Sequence, residues 1–325
     1  MAIQPILSVR ELRKSFPAGR GWAGGTGELQ ALAGVELDLH PGEVLGIVGE
    51  SGSGKTTLGR CVLRLVKPSA GRVELHGSDF LALRGKRLRN RRGRLGVVFQ
   101  DPYSSLNPRM HIGSIVAEPL RASGRPSRGA VSEKVIGLLE RVGIEPRYVN
   151  RYPHELSGGQ RQRVAIARAL ATDPDILVAD EPVSALDVSV QAQVLNLLLD
   201  LKREGRLAML FISHDLAVVE RIADRILVMY AGRVVESAAT DRLISQPLHP
   251  YTQALLSAVP SVDPTFHRER VRLRDDLASA GRRVGCPVAG RCPVAQDVCL
   301  VEEPPLEETR PGHWTACHLA DARAD

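Results

Sequence analysis

The sequence lacks any apolar run long enough to cross a lipid bilayer. Its apolar stretches, such as residues 176–179 and 207–212, fall far short of the roughly 18 residues that a membrane-spanning helix needs. The N-terminal residues 1–5 have neither the basic start nor the long apolar core of a secretory signal. We therefore expect no transmembrane segment and a chain that stays in the cytosol.

Cysteine is scarce and unevenly placed. The chain has 5 cysteines, and a cytosolic location makes disulfides unexpected. Most of them cluster near the C-terminus: Cys286, Cys292, Cys299 and Cys317. Such a cluster predicts metal ligands, because thiolates bind zinc and iron–sulfur clusters. The spacing contains no C-x2-C pair and fits a zinc finger poorly, so we expect an iron–sulfur cluster, with zinc as the alternative.

No internal repeat or low-complexity tract is present, and the composition is that of an ordinary globular protein. Hydrophobic residues make up 43% and charged residues 25%, which argues against disorder, a collagen-like chain or a coiled-coil rod. The net charge of +6 suits an anionic partner, whether nucleotide phosphate, nucleic acid or a membrane surface. The length of 325 residues allows one full domain and a second, small one.

Short apolar runs alternate with helical patterns over the first 240 residues or so, which is typical of an α/β core with a mainly parallel sheet. A block from about residue 110 to 171 lacks buried-strand runs and is predicted to be an inserted helical subdomain. Prolines recur beyond Pro247, so the tail is predicted to be a small irregular module. The expected domains are residues 1–245 and 246–325.

A glycine-rich motif follows the predicted strand 44–48 and precedes a helical pattern. Residues 49–56 fit G-x-x-x-x-G-K-[ST], the motif of a phosphate-binding loop or P-loop. In such a loop the glycines let backbone amides surround phosphates, Lys55 reaches the outer phosphates and Thr56 offers a hydroxyl to Mg²⁺. The predicted phosphate-binding residues are Gly49, Glu50, Ser51, Gly52, Ser53, Gly54, Lys55, Thr56 and Thr57.

Two carboxylates, Asp180 and Glu181, follow a second buried strand, residues 176–179. They are therefore expected at the C-terminal edge of a parallel sheet, where open α/β folds bind ligands. Asp180 suits a role in holding Mg²⁺, directly or through water. Glu181 is the candidate general base for the attacking water.

The segment Leu156-Ser157-Gly158-Gly159-Gln160 precedes a helical run. Serine is a favoured helix cap, and the amides of a helix N-terminus bind anions. At this point the sequence resembles the ATP-binding cassette (ABC) family, for which L-S-G-G-Q is the signature motif. The resemblance implies that two cassettes pair head to tail, each ATP lying between the P-loop of one and the signature of the other.

The resemblance extends to other motifs of the family. Gln100 is similar to the Q-loop glutamine, which contacts Mg²⁺ and water and senses the membrane partner. Residues 184–187 are similar to the D-loop, and His214 to the switch histidine that contacts the γ-phosphate. Phe16 stands where an aromatic ring usually stacks on adenine. The implied fold is an ABC nucleotide-binding domain with a RecA-like core, an antiparallel β edge and a helical subdomain.

Three longer segments, residues 98–108, 180–189 and 249–256, resemble the dipeptide and oligopeptide importer ATPases, in particular their F-type subunit. The tail cysteines match the C-terminal domain of that subfamily, which implies a [4Fe–4S] cluster held by all four. The implied function is ATP hydrolysis that drives peptide import. Alternatives are the same motor role for nickel or another small solute, and a non-transport ABC ATPase acting on DNA or ribosomes.

The implied partners are a sister ABC ATPase in a heterodimer, two membrane permease subunits and, indirectly, an extracytoplasmic solute-binding protein. The chain would then be peripheral, at the cytoplasmic face of the membrane. A basic segment, residues 84–94, could bind nucleic acid. Because no aromatic residue interleaves its charges, we expect a solvated or membrane-facing surface there and no nucleic-acid partner.

Overall fold

The fold combines two β-sheets with helices and is taken from a computed structural model, which describes residues 4–17, 28–123, 128–204, 207–258, 271–274 and 284–320. The strands are β1 (Leu7–Pro17), β2 (Glu28–Leu39), β3 (Val44–Val48), β4 (Ala70–Leu75), β5 (Ser78–Asp79), β6 (Leu95–Val98), β7 (Ile176–Asp180), β8 (Ala208–Ile212), β9 (Arg225–Tyr230), β10 (Arg233–Ala239), β11 (Glu307–Arg310) and β12 (His313–Thr315).

The longest α-helices lie between residues 112 and 203. They are α1 (Lys55–Val62), α2 (Gly85–Arg92), α3 (Pro102–Ser105), α4 (Ile112–Ala122), α5 (Arg128–Arg141), α6 (Gly158–Leu170), α7 (Val188–Arg203), α8 (Leu216–Glu220), α9 (Thr240–Ser245), α10 (Pro250–Ser257) and α11 (Asp297–Val301). Two short 3-10 helices cover Pro146–Asn150 and Pro153–Glu155. Among the described residues, no helix has the length and apolar character that crossing a membrane requires.

The chain divides into two compact units. The first is drawn from residues 1–7, 38–44 and 74–212, and the second from 8–37, 45–73 and 213–325, in each case within the described residues. The predicted domain boundaries, including the helical subdomain at 110–171 and the tail at 246–325, stay predictions. Parts of both predicted segments lie outside the described residues.

In the first unit, β6, β7 and β8 lie side by side and run parallel, with β7 in the middle. Every residue of β7 and β8 is buried, as the continuous apolar runs in the sequence predict. Helices α4, α5 and α6 pack on one another, and α6 also packs on α7. The basic helix α2 has no buried residue, which agrees with the expected solvated surface.

In the second unit, β3 pairs in parallel with β9, and β9 pairs antiparallel with β10. The hairpin of β11 and β12 continues this sheet, because β12 pairs antiparallel with β10. Strands β2, β1 and β4 lie side by side in a second sheet. The described part of the tail therefore differs from the irregular module that its prolines suggested, since it contributes two strands to a sheet.

Candidate active site

The glycine-rich loop between β3 and α1 has a backbone that only glycine adopts easily. Gly49, Gly52 and Gly54 have φ angles of +150°, +82° and +101°. At Gly49 a Cβ atom would lie 2.1 Å from the carbonyl oxygen of Met229, whereas at Gly52 it would meet nothing within 4 Å. The loop is therefore held closely at its start and open to a ligand near its middle.

Lys55, the first residue of α1, is buried and its amine turns back into the loop. Its Nζ donates hydrogen bonds to the carbonyl oxygens of Gly49 at 2.7 Å and Glu50 at 2.8 Å, and to Ser53 Oγ at 3.2 Å. No side chain caps the N-terminus of α1 at Gly54. A buried cation and uncapped helix amides together fit a bound phosphate, and the Thr56 hydroxyl stands on the same first turn.

In the first unit, the structure brings together two of the predicted catalytic residues. Gln100 follows β6 and Glu181 follows β7, and Gln100 Nε2 donates a hydrogen bond of 2.9 Å to Glu181 Oε2. Asp180 is the last residue of β7 and is buried. Glu181 has a φ of +49°, an unusual backbone conformation for a residue with a side chain. Such strain is commonest at functional sites.

The signature segment forms the start of α6. Ser157 caps the helix: its Oγ accepts a hydrogen bond from the Gln160 amide at 3.3 Å, and Gln160 Oε1 accepts one from the Ser157 amide at 3.0 Å. At Gly159 a Cβ would lie 2.3 Å from Val190 Cγ1, so glycine is required where α6 meets α7. Gly158 is less confined, with its nearest neighbours at 3.6 Å and beyond.

The remaining predicted residues are exposed or only half-buried. In the first unit, Asp187 caps α7 and accepts hydrogen bonds from the Val190 amide at 2.9 Å and from Ser189 Oγ at 2.8 Å. Chiefly because of the Val190 amide, the pKa of Asp187 is lowered from its usual value. In the second unit, His214 is exposed between β8 and α8, and Phe16 is half-buried with Lys14 Nζ 4.7 Å from its ring centroid.

The prediction of an iron–sulfur cluster is wrong. Cys286, Cys292, Cys299 and Cys317 line one small cavity. However, no three His, Cys, Asp or Glu side chains of the described residues are arranged to hold a metal ion. Burial raises the pKa of the Cys286 thiol to about 11. The zinc alternative is not indicated either.

Two residues of the tail contact the P-loop, and the sequence analysis missed both. Arg291 pairs with the Glu50 carboxylate, and the Tyr251 hydroxyl accepts a hydrogen bond of 2.8 Å from the Glu50 amide. No local pattern could have found these contacts, since each joins residues more than 200 positions apart in the sequence.

Comparison with known proteins decides the family. Residues 32–184 match the family described as ABC transporter, and residues 235–299 match the family described as Oligopeptide/dipeptide transporter, C-terminal region. The oligopeptide transport ATP-binding protein AppF of Bacillus subtilis is 48% identical over 97% of this chain and 98% of its own length. The chain belongs to the ABC transporter ATP-binding family. The dipeptide transport ATP-binding protein DppF of Haemophilus influenzae is 46% identical to this ABC protein over 98% of the chain and 97% of its own length.

A solved structure supports the same assignment. The dimeric ATP-binding cassette MJ0796, determined in a post-hydrolysis state with ADP and Pi, has a TM-score of 0.64 and 31% identity. The match covers 72% of this chain and 98% of that one. The predicted ABC nucleotide-binding fold is therefore confirmed. This ABC protein is an ATPase of a transport family, for which ATP and Mg²⁺ are the expected ligands.

Proposed function

We propose that this ABC ATPase is the ATP-hydrolysing subunit of an importer for dipeptides or oligopeptides. The observation that carries the proposal is the match of residues 235–299 to the C-terminal region of oligopeptide and dipeptide transporters. The names of AppF and DppF also favour peptides over nickel as the cargo. No observation favours a role on DNA or ribosomes.

The residues described above support a specific division of labour. The amides at the start of α1 and Lys55 would bind the phosphates of ATP. The family resemblance assigns the binding of Mg²⁺ to Thr56, Asp180 and Gln100. Glu181 would accept a proton from the attacking water, with its carboxylate oriented by the amide of Gln100. His214 would contact the γ-phosphate and Phe16 the adenine, as the family resemblance implies.

We infer that the chain works in an assembly, as a peripheral subunit at the cytoplasmic face of the membrane. Two permease subunits would form the path for the peptide, and an extracytoplasmic solute-binding protein would deliver it. A sister ABC ATPase would pair with this chain in a heterodimer. Ser157, Gly158, Gly159 and Gln160 would then complete the nucleotide site of the sister subunit, because they present the N-terminus of the 13-residue helix α6.

The surface after Gln100 is the candidate permease contact. Asp101 caps α3 by accepting hydrogen bonds from the amides of Tyr103 at 2.8 Å and Ser104 at 3.3 Å. Tyr103 is 58% exposed although it is a large aromatic residue. The guanidinium of Arg161, near the start of α6, lies 4.2 Å from its ring centroid. A permease segment bound at Tyr103 would therefore touch a side chain supported by the signature helix.

Reconstitution tests the proposal. The assembled transporter in lipid vesicles should take up a defined dipeptide and hydrolyse ATP, whereas a Lys55→Ala assembly should do neither. Uptake of nickel without uptake of any peptide would contradict the peptide assignment. Placing Lys55→Ala and Ser157→Arg on chosen subunits should show that the two changes inactivate opposite nucleotide sites. A Ser157→Arg chain that cannot bind nucleotide in its own P-loop would contradict the head-to-tail arrangement.

A further inference from the structure

An ion pair connects the tail to the P-loop within the second unit. Arg291 Nη1 and Nη2 donate hydrogen bonds of 2.7 Å and 3.2 Å to the two carboxylate oxygens of Glu50. This bidentate geometry is the most specific form of an arginine–carboxylate pair. The Arg291 side chain is 22% exposed and the Glu50 side chain 41%, so water screens the pair only in part. Glu50 is the second residue of the P-loop motif.

Tyr251 holds the same P-loop residue from another side, and Tyr230 packs against both Tyr251 and Arg291. The buried Tyr251 hydroxyl accepts the hydrogen bond from the Glu50 amide, and its ring meets the Tyr230 ring edge-on with centroids 4.8 Å apart. The Arg291 guanidinium lies 5.9 Å from the Tyr230 centroid, within the range of a cation–π contact. The contacts thus form a closed ring, in which each residue touches the next. We call this ring the P-loop brace; its members are Glu50, Arg291, Tyr230 and Tyr251.

The fold of the tail fixes the backbone of Arg291. The amides of Arg291 and Cys292 both donate to the carbonyl oxygen of Val288, at 2.9 Å and 2.8 Å. The Cys286 amide donates to the Cys299 carbonyl at 2.8 Å, which closes the loop that contains Arg291. Val288 and Cys292 are buried. The position of the guanidinium is therefore set by packing inside the tail.

The charge of Glu50 gives this contact a consequence for ATP. A carboxylate in a phosphate-binding loop repels the polyphosphate, and the repulsion falls if a cation neutralises it. The hydrogen bonds to Glu50 are the main reason why the pKa of Arg291 is raised above its usual value, so this cation is always charged. The brace therefore both positions the loop and cancels an unfavourable charge.

We infer that Arg291 is a positioning residue for ATP binding, through which the transporter-specific C-terminal region sets the geometry and charge of the P-loop. Both Arg291 and Tyr251 lie within residues 235–299, the segment that matches the oligopeptide/dipeptide transporter C-terminal region. The inference rests on ATP binding by the P-loop and is independent of which solute is imported.

The test compares ATP affinity and turnover in full-length variants within the assembled transporter. Arg291→Met should raise the KM for ATP about three- to fivefold while kcat changes little, since the loss concerns binding of the phosphates. The increase should shrink at high salt, because screening weakens the repulsion from Glu50. Arg291→Lys keeps the charge and should restore most of the affinity.

The matched control is Arg233→Met. The Arg233 side chain is also 22% exposed and pairs with a tail glutamate, Glu303, whose side chain is 45% exposed. Removing this pair should disturb the tail as much as removing Arg291, yet leave the KM for ATP unchanged. An equal rise of the KM in both variants would overturn the inference, because it would show a general effect of tail stability.

Two further variants extend the test, and Tyr251→Phe keeps it decisive if Arg291→Met is unstable. Glu50→Gln combined with Arg291→Met should bind ATP better than Arg291→Met alone, since the repelling carboxylate is gone. Tyr251→Phe keeps the ring and removes only the acceptor of the Glu50 amide, so its KM should also rise. An Arg291→Met affinity equal to that of the wild type, or a double variant no better than Arg291→Met, would overturn the inference. A separate comparison tests whether the P-loop holds ATP at all. The wild-type protein should bind ATP, and Lys55→Ala should lose this binding.

Discussion

The amide of Gln100 donates a 2.9 Å hydrogen bond to the carboxylate of Glu181, although 81 positions separate the two residues in the sequence. The contact follows from the parallel pairing of β6 and β7, in which Val98 lies opposite Ala179. Gln100 and Glu181 each come two positions after these paired residues, so their side chains emerge at the same edge of the sheet. The Glu181 amide also donates to the Ile212 carbonyl at 2.9 Å, which holds its left-handed backbone in place.

Glu181→Gln should remove the negative charge of this side chain while keeping the side chain in the same position. Glutamine keeps an oxygen that can accept the hydrogen bond of Gln100, but it cannot take a proton from water. We expect the ATPase rate to fall by roughly 10²–10⁴-fold while ATP binding persists. Steady-state hydrolysis and nucleotide retention, measured together in the assembled transporter, check this. The control is Glu204→Gln, which removes an exposed carboxylate paired with Arg141. Near-wild-type ATP turnover by Glu181→Gln would contradict the role of Glu181 as the general base.

The two glycines of the signature should respond differently to alanine. At Gly159 the added methyl group meets the Val190 side chain at 2.3 Å, so Gly159→Ala should destabilise the protein by about 1–3 kcal/mol through overpacking. At Gly158 the nearest atom lies at 3.6 Å, and alanine favours a helix by about 1 kcal/mol over glycine. Gly158→Ala should therefore keep or raise the Tm. Thermal unfolding of both variants checks the order, and a lower Tm for Gly158→Ala than for Gly159→Ala would contradict it.

Much of the first unit and of the P-loop could be predicted because the relevant patterns are local. Buried parallel strands appear as continuous apolar runs, and the chemistry of an α/β fold lies at the ends of those runs. Residues 44–48 and 176–179 therefore led directly to the P-loop and to Asp180 and Glu181. The capping role of Ser157 follows from its residue type and from Gln160 three positions later.

The tail could not be predicted in the same way. The four cysteines line one cavity, but their spacing in the sequence does not determine the directions of their side chains. The contact of Arg291 with Glu50 depends on how two distant segments pack, and no local sequence pattern indicates that these two residues form an ion pair. Strand β12 contains too few residues to show a period of two, so its pairing with β10 was also missed.

Asp187 should contribute to stability in a pH-dependent way. Because its pKa in the folded protein lies below the usual value, its stabilising effect is present above the unfolded pKa and is lost as the pH falls through the folded pKa. The Tm difference between wild type and Asp187→Ala should therefore be constant near pH 7 and narrow below about pH 4. Asp200→Ala, at an exposed position within α7, is the control. A Tm difference for Asp187→Ala that grows in acid would contradict the capping role.

A buried glutamate holds the tail hairpin to the sheet of the second unit. Glu236 is 0% exposed, and its Oε1 accepts hydrogen bonds from the Leu248 amide at 2.7 Å and from His313 Nε2 at 2.7 Å. Its Oε2 accepts one from the His249 amide at 3.1 Å. One side chain thus satisfies donors on the segment before α10 and on β12.

Glu236→Ala should therefore release the hairpin of β11 and β12. The change leaves three buried donors without their acceptor, and removal of one partner from a buried charged network costs about 3 kcal/mol or more. We expect the Tm to fall by roughly 6–12 °C and the segment Glu307–Thr315 to become sensitive to protease. Glu308→Gln is the matched control in the same hairpin, because Glu308 is exposed and accepts only the Gly312 amide among its described contacts, at 2.7 Å. Its Tm should change by less than about 2 °C. Equal effects of the two substitutions would show that Glu236 does not anchor the hairpin.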